Sequence, residues 1–474
     1  MYRSNVASRF ISNAMLRDTF RTTLIRLFSR SNAARCEELP PSLDLKQMLL
    51  AKEDHMRNIV NRKMSVDFEK IEMLYRNYCN LTTLMNKQNR IRKELAARFA
   101  QDNAELRDTL DTMGQVYEIK ERLENTNTDL GAVTEKLNSE LALLPNDTHP
   151  SVPIGGEGDS VEIERFGPHP VDGKCVNDHM ALAKQLDIVD FESGANTSGS
   201  SFYFLKNQGV LLENALVQYV FRRAIKAGFR PIKPPDIVYG KFIKACGFLP
   251  RSEETPNAIP AYTVSGDGPT RVLSATAEIP LAAYNSGRIL EEWELPIKWV
   301  AFSHCFRPET GHHGSETRGL YRVHQFTKVE LFILKDNGMK SSDSALQEIL
   351  ALQKSILNDL GLSCRILNMA SAELGASAYQ KYDIEAWFPA RSRWGELTSS
   401  SNCTDYQSRR LMLRYRPKDR GPLQFAHTLN GTACAVPRII QAILENNQQH
   451  DGSVAIPSVL HPYMLDGSTA IKKV

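Results

Sequence analysis

The chain of 474 residues carries 24% charged and 42% hydrophobic side chains and a net charge of only +3, enough for two or three domains with sizeable cores. That balance excludes a mostly disordered chain, and no run approaches the roughly 18 apolar residues of a membrane-spanning helix, so no membrane partner is expected. The near-neutral total confines any nucleic-acid contact to a local basic surface, and eight widely spaced cysteines without a C-x-x-C pair argue against a disulfide scaffold or a zinc site.

Residues 1–36 stand apart. They hold seven Arg, five Ser, no Lys and a single acid, Asp18, and Leu16, Phe20, Leu24 and Leu27 recur at helical spacing. An amphipathic, Arg- and Ser-rich, acid-poor start reads as a mitochondrial transit peptide, hence a matrix location. The alternative is a disordered basic tail that binds RNA; such a tail needs no apolar stripe.

No proline occurs from residue 42 to 144. Phe68, Ile71, Tyr75, Tyr78, Leu81, Met85, Ile91, Leu95 and Phe99 recur mostly every three or four residues. So do Leu106, Leu110, Met113, Ile119, Leu123, Leu130, Val133, Leu137 and Leu144. Two such runs predict an antiparallel helical hairpin with its tip near 101–103, inside an N-terminal domain spanning 40–150. Thr82, Thr126 and Glu140 at seam positions predict looser packing than an ideal coiled coil. Lys87, Arg90, Arg92, Lys93 and Arg98 make one strip of the first helix basic. Charge alone leaves a solvated face and an RNA-contacting face equally open.

The Pro- and Gly-rich segment 144–156 ends the hairpin, and a second domain of 155–474 follows. Strand-like stretches at 201–205, 299–302 and 329–334 mix with helical stretches at 211–227 and 343–360, without βαβ alternation. This pattern predicts an α+β domain with an antiparallel sheet.

The chain lacks a phosphate-binding G-x-x-x-x-G-K-[ST] loop, a G-x-G-x-x-G turn, H-E-x-x-H and G-x-S-x-G, which excludes the common nucleotide-binding, zincin and hydrolase machineries. The pair His312-His313 reads as a surface loop rather than a metal site. Arg307, Glu309, Arg322 and Glu330 lie along two strands joined by a polar loop. For any one pair, an ion pair across the ladder is the simpler reading; an arginine beside a glutamate also suits a phosphate and an amino group or metal. Farther on, Pro437 places Arg438 near a helix start, where an arginine and helix-end amides suit an anion.

Together these segments resemble the three signature motifs of class II aminoacyl-tRNA synthetases, and more narrowly the seryl-tRNA synthetases of the mitochondrial type. The first motif is matched by the helix before Gly228 and by Pro235, the second by residues 306–326, and the third by Ala435-Val436-Pro437-Arg438. Serine-specific likenesses are Thr276-Ala277-Glu278, Lys328-Val329-Glu330, 401–407 and 149–153. The resemblance spans nearly everything from residue 40 to Met464.

The resemblance implies a homodimer that joins L-serine and ATP into seryl-adenylate, then passes the seryl group to the 3′ end of mitochondrial tRNA(Ser). It implies catalytic roles for Arg307 and Arg438 on the phosphates, and serine contacts from Thr276, Ala277, Glu278, Arg307, Glu330 and Thr432. ATP would meet Arg307, Pro308, Glu309, Val323, Phe326 (stacked on adenine), Glu396, Leu397, Thr398, Ser399 and Arg438. Mg²⁺ would arrive with ATP at Glu396 and Ser399, and no zinc is implied. The basic arm residues Lys87, Arg90, Arg92 and Lys93 would contact tRNA. Pro308, Ser400, Pro437 and the loop 311–316 depart from frequent forms of the family, but no charged motif position is lost. The alternative is a non-catalytic, synthetase-like RNA-binding or regulatory paralogue, for which Pro308 is the only support; a coiled-coil adaptor leaves the charged motifs unexplained.

Overall fold

The computed structural model describes residues 39, 41–101, 106–170, 177–249, 261–309 and 319–473. The expected transit peptide and the His312-His313 pair lie outside them, as do the side chains of Phe99, Leu106, Leu110 and Met113.

Two short helices, α1 (Leu45–Leu50) and α2 (Lys52–Asn61), lead into the hairpin of α3 (Phe68–Gln101) and α4 (Leu106–Leu143). Asp44 caps α1 by accepting from the Gln47 amide, and Asp67 accepts from the Lys70 amide at the start of α3. With 34 residues in α3, the arm reaches about 50 Å. Its root is anchored by a cluster of Ile59, Phe68, Ile71, Leu74, Leu137, Leu141 and Leu144.

The seam differs from expectation toward the tip. Ile91 is exposed, and Gln88 takes the buried position between Met85 and Leu95; on α4, Ile119 and Thr126 are buried. The apolar repeat slips from straight-helix spacing as two helices wrap around each other, so the seam follows 85, 88, 92 and 95.

The body is built on an eight-stranded sheet: β1 (Val161–Phe166), β2 (Arg230–Ile232), β3 (Ile297–Phe306), β4 (Gln325–Lys335), β5 (Cys364–Asn368), β6 (Gln380–Phe388), β7 (Arg393–Asn402) and β8 (His427–Ala435). The order is β1-β5-β6-β7-β8-β4-β3-β2, antiparallel throughout except where β2 runs parallel to β3. This is the α+β, antiparallel-sheet architecture expected. The strand expected over 201–205 is only the two residues Phe204–Leu205, because a long helix begins at Asn207.

The further helices that bear on the site are α5 (Asn207–Lys226), α6 (Glu278–Tyr284), α7 (Met339–Asp359), α8 (Tyr406–Leu411) and α9 (Val436–Asn446). Val329, Leu331 and Ile333 of β4 pack into one cluster with Leu212 and Leu216 of α5, Leu346 and Ile349 of α7, and Ile439 and Ile443 of α9. Alternation sends Phe332 and Leu334 to the opposite face, with Ile279 and Leu281 of α6 and Leu411 of α8. Those two helices cover part of the second face, which also carries the polar positions of β4, β6, β7 and β8.

Candidate active site

The site forms on the partly covered face, where each strand contributes alternate residues. Across β4 and β8, Val329 pairs with Cys434 but Glu330 pairs with Thr432, so Ala433 is an extra, bulged residue. The bulge keeps Ala433 and Cys434 in the core while Thr432 faces Glu330 and Lys328. All three are buried: Lys328 forms an ion pair with Glu330, and its Nζ donates to Thr432 Oγ1 at 3.2 Å. A buried carboxylate requires such a partner.

Beside them the first turn of α6 brings Glu278. Its Oε1 accepts from Gln407 Nε2 at 2.6 Å and from Asn430 Nδ2 at 2.9 Å. Burial, reinforced by the charge of Glu330, pushes the Glu278 carboxyl up to about 7. Thr276 is buried next to it and accepts from the Glu278 amide at 3.3 Å. Ala277 is fully buried in the apolar cluster beneath. Thr276, Glu278, Glu330 and Thr432, expected to hold serine, therefore converge on one buried polar pocket. Lys328, Gln407 and Asn430 complete it and are absent from the expected site set. Two signals pointed to them: Lys328 lies two strand positions from Glu330, and Gln407 ends the quoted 401–407 segment.

A second group lies on the same face across β8. In β6 and β7, Ile384 pairs with Thr398 but Glu385 pairs with Glu396, which makes Leu397 the bulge. Residues three apart on a regular strand face opposite ways; this bulge turns Glu396 and Ser399 to the same side. Leu397 and Thr398 consequently bury their side chains on the other side, so only their backbone adjoins the expected nucleotide position.

Arg438, the third residue of α9 and next after Pro437, donates from Nη1 to the Glu396 carbonyl at 3.1 Å and pairs with its carboxylate at 3.0 Å. Its Nε donates to Tyr321 O at 3.2 Å. Burial opposes charge on Glu396, yet Arg438, with Lys381 and Arg307 behind it, holds the carboxyl down at about 2.

Arg307 extends the β3–β4 ladder by donating its amide to His324 O at 2.9 Å, and its guanidinium lies 5.3 Å from the Phe326 ring. Glu309 follows Pro308 in the left-handed region, φ 50°, and accepts from Arg322 at 2.6 Å. Val323, two residues before β4, is buried.

The donor set suits a hard divalent cation held together with a nucleotide. Glu396 is ionised, Ser399 offers a hydroxyl, and Asp383, directly across from Ser399, has a buried Oδ1 without a hydrogen-bond partner. Among the described residues no group of three or more His, Cys, Asp and Glu could hold a metal unaided, so phosphate oxygens would complete such a shell.

On the arm, Lys87, Arg90 and Lys93 are exposed, whereas Arg92 is half-buried at a seam position. The four residues do not form one strip.

Residues 262–447 match the tRNA synthetase class II core domain (G, H, P, S and T). The chain is 41% identical over 411 residues to a serine–tRNA ligase of Treponema denticola, covering 86% of this chain and 95% of that one. It is 43% identical over 334 residues to a mitochondrial serine–tRNA ligase of Mus musculus, covering 70% of this chain and 63% of that one. A crystal structure of seryl-tRNA synthetase from Pyrococcus horikoshii complexed with ATP superposes with a TM-score of 0.79 at 32% identity, over 91% of this chain and all of that one.

Proposed function

We propose, from the premise that this chain belongs to the serine–tRNA ligase family, that it activates L-serine with ATP and transfers the seryl group to the 3′ end of mitochondrial tRNA(Ser) in the matrix. The carrying observation is that two complementary half-sites share one sheet face. One is a buried acid and hydroxyl pocket at Glu278, Glu330 and Thr432; the other is the arginine and carboxylate group of Arg307, Glu396 and Arg438.

Serine's ammonium would meet Glu278 and Glu330, and its hydroxyl would meet Thr432 and the pocket amides. Alanine would leave these buried groups unpaired, which favours serine without a separate editing site. The serine carboxylate attacks the α-phosphorus of ATP; the bond to the pyrophosphate oxygen breaks, giving seryl-adenylate and pyrophosphate. Arg307 faces the charge that develops at the α-phosphate, and Arg438 the departing phosphates. Mg²⁺ bound with ATP at Glu396 and Ser399 would neutralise phosphate charge. In the second step a terminal ribose hydroxyl attacks the acyl carbon and AMP leaves. No side-chain base is required for the first step, since the nucleophile is already a carboxylate and positioning carries the rate.

The mitochondrial assignment is supported by the composition of residues 1–36 and by likeness to mitochondrial relatives. Homodimerisation is supported by an open apolar groove along α5, lined by Val217, Phe221, Ile225, Phe302 and Tyr463. Contact of the arm with the tRNA backbone is supported by exposed Lys87, Arg90 and Lys93.

Serine-dependent exchange of labelled pyrophosphate into ATP tests the reading. The protein should exchange, and Arg307→Ala should lose about 10² to 10³-fold in rate. Folded protein that binds serine and ATP without exchange would instead establish the non-catalytic paralogue.

A further inference from the structure

We infer that Gln353, on the buried face of α7 and outside both half-sites, is the positioning residue that sets the spacing between the ATP and serine half-sites. Its side chain is fully buried among Leu346, Ile349, Leu350 and Ile356, positions of a helix face where an apolar residue would be expected. Its Nε2 donates to Ser399 O at 2.8 Å and to Thr432 O at 2.8 Å. Ser399 belongs to the ATP half and Thr432 to the serine half. One amide therefore holds the backbone of one residue from each.

The sheet shows why a side chain is needed there. β7 and β8 pair only through Ser400–Gly431, Ser401–Asn430 and Asn402–Leu429, and the ladder stops at Ser400 and Gly431. Just beyond that point each strand bulges against its outer neighbour, at Leu397 in β7 and at Ala433 in β8. The next two carbonyls would be left in the core without donors, and both amide hydrogens of Gln353 are spent on them. Gly431 leaves room for this packing: a Cβ there would lie 2.4 Å from Ile349 Cγ2, a clash with α7, and a tight 3.2 Å from Gln353 Nε2. The two donated bonds fix the amide's orientation, although its own Oε1 lacks a partner.

Gln353 thus replaces a rung of the ladder with a side-chain wedge. It keeps the strands parted over the stretch where a carboxylate held by one half-site must approach a phosphorus held by the other. A near-attack separation of about 3 Å is lost by small shifts of either strand, with large cost in rate and little in the binding of either ligand alone.

This inference rests on the adenylation reading. Gln353→Met keeps the volume and removes both donors. In pyrophosphate exchange it should lower kcat about tenfold or more while the KM values for serine and ATP each move less than about threefold. A non-hydrolysable seryl-adenylate mimic spans both half-sites; its affinity should fall by more than the serine and ATP losses multiplied together. Gln353→Asn, which retains an amide too short to reach both carbonyls, should behave alike and serves if the Met variant does not fold. A folded variant with kcat within about twofold of the parent, or with loss of mimic affinity no greater than the separate losses combined, overturns the inference. Absence of serine-dependent exchange in the parent protein would overturn the adenylation reading instead.

Discussion

Glu278 is a carboxylate withdrawn from water, with two amide donors on one oxygen and Glu330 close by. Its carboxyl is raised from 4.5 to about 7, so between those values the folded state holds a proton that the unfolded chain has released. Stability of the ligand-free protein should therefore fall as pH rises through this window. Serine brings an ammonium that favours the ionised form, so its binding should release a proton near pH 6 to 7 and tighten as pH rises to about 7. Calorimetry of serine binding in buffers of different ionisation enthalpy measures that proton; Glu278→Gln should abolish the release and weaken binding. Release unchanged in the variant would assign the proton elsewhere. The charged residues of the two half-sites were legible in sequence because Glu278, Glu330, Arg307 and Arg438 sit in short motifs whose chemistry is distinctive. The amides that orient them were less so: Asn430 and Gln353 carry no charge and no periodicity, and only the folded strands show which carbonyls or carboxylates they meet.

Elements follow the same division. The hairpin was legible because apolar spacing over two long runs admits few other readings, while its tip seam was not, because supercoiling exchanges Ile91 for Gln88. The same drift removes Arg92 from the outer face and leaves Lys87, Arg90 and Lys93 there. Arg90 pairs with Glu94 at 2.9 Å, but both are exposed and such an i,i+4 pair is worth only about 0.3–0.5 kcal/mol, so a phosphate can displace it. Replacing Lys87, Arg90 and Lys93 together by Ala should raise KM for tRNA at least about tenfold and reduce the salt slope of tRNA binding by about 2 to 3, with pyrophosphate exchange unchanged. Unchanged tRNA affinity and slope would return this face to a solvated one. Neither bulge was legible, since an extra strand residue leaves no mark in composition. Yet the bulge at Leu397 is what puts Glu396 and Ser399 on one side.

At the scale of the molecule, the arm is fastened to the body by two buried guanidiniums. Arg62 donates to the carbonyls of Asn146, Gly375 and Ala378, and Arg410 to those of Leu141 and Leu144. Burial lowers both, Arg62 to about 10, and the carbonyls they donate to, with Asp147 near Arg62 and Asp405 near Arg410, favour their charge. The helix before Gly228 carries two apolar faces: Leu212, Leu216 and Val220 enter the core, while Val217 and Ile225 line the open groove with Phe302 of β3. A second apolar face on a helix already packed against a sheet suits a partner surface, and in the proposed homodimer a matching copy of the same helix would supply one through a two-fold axis. Ile225 is 47% exposed, so Ile225→Glu should leave the fold intact while burying two charges at the axis of a dimer. Sedimentation should then find the parent at about twice 53.3 kDa and the variant at the monomer mass. A variant that stays dimeric would move the interface away from α5.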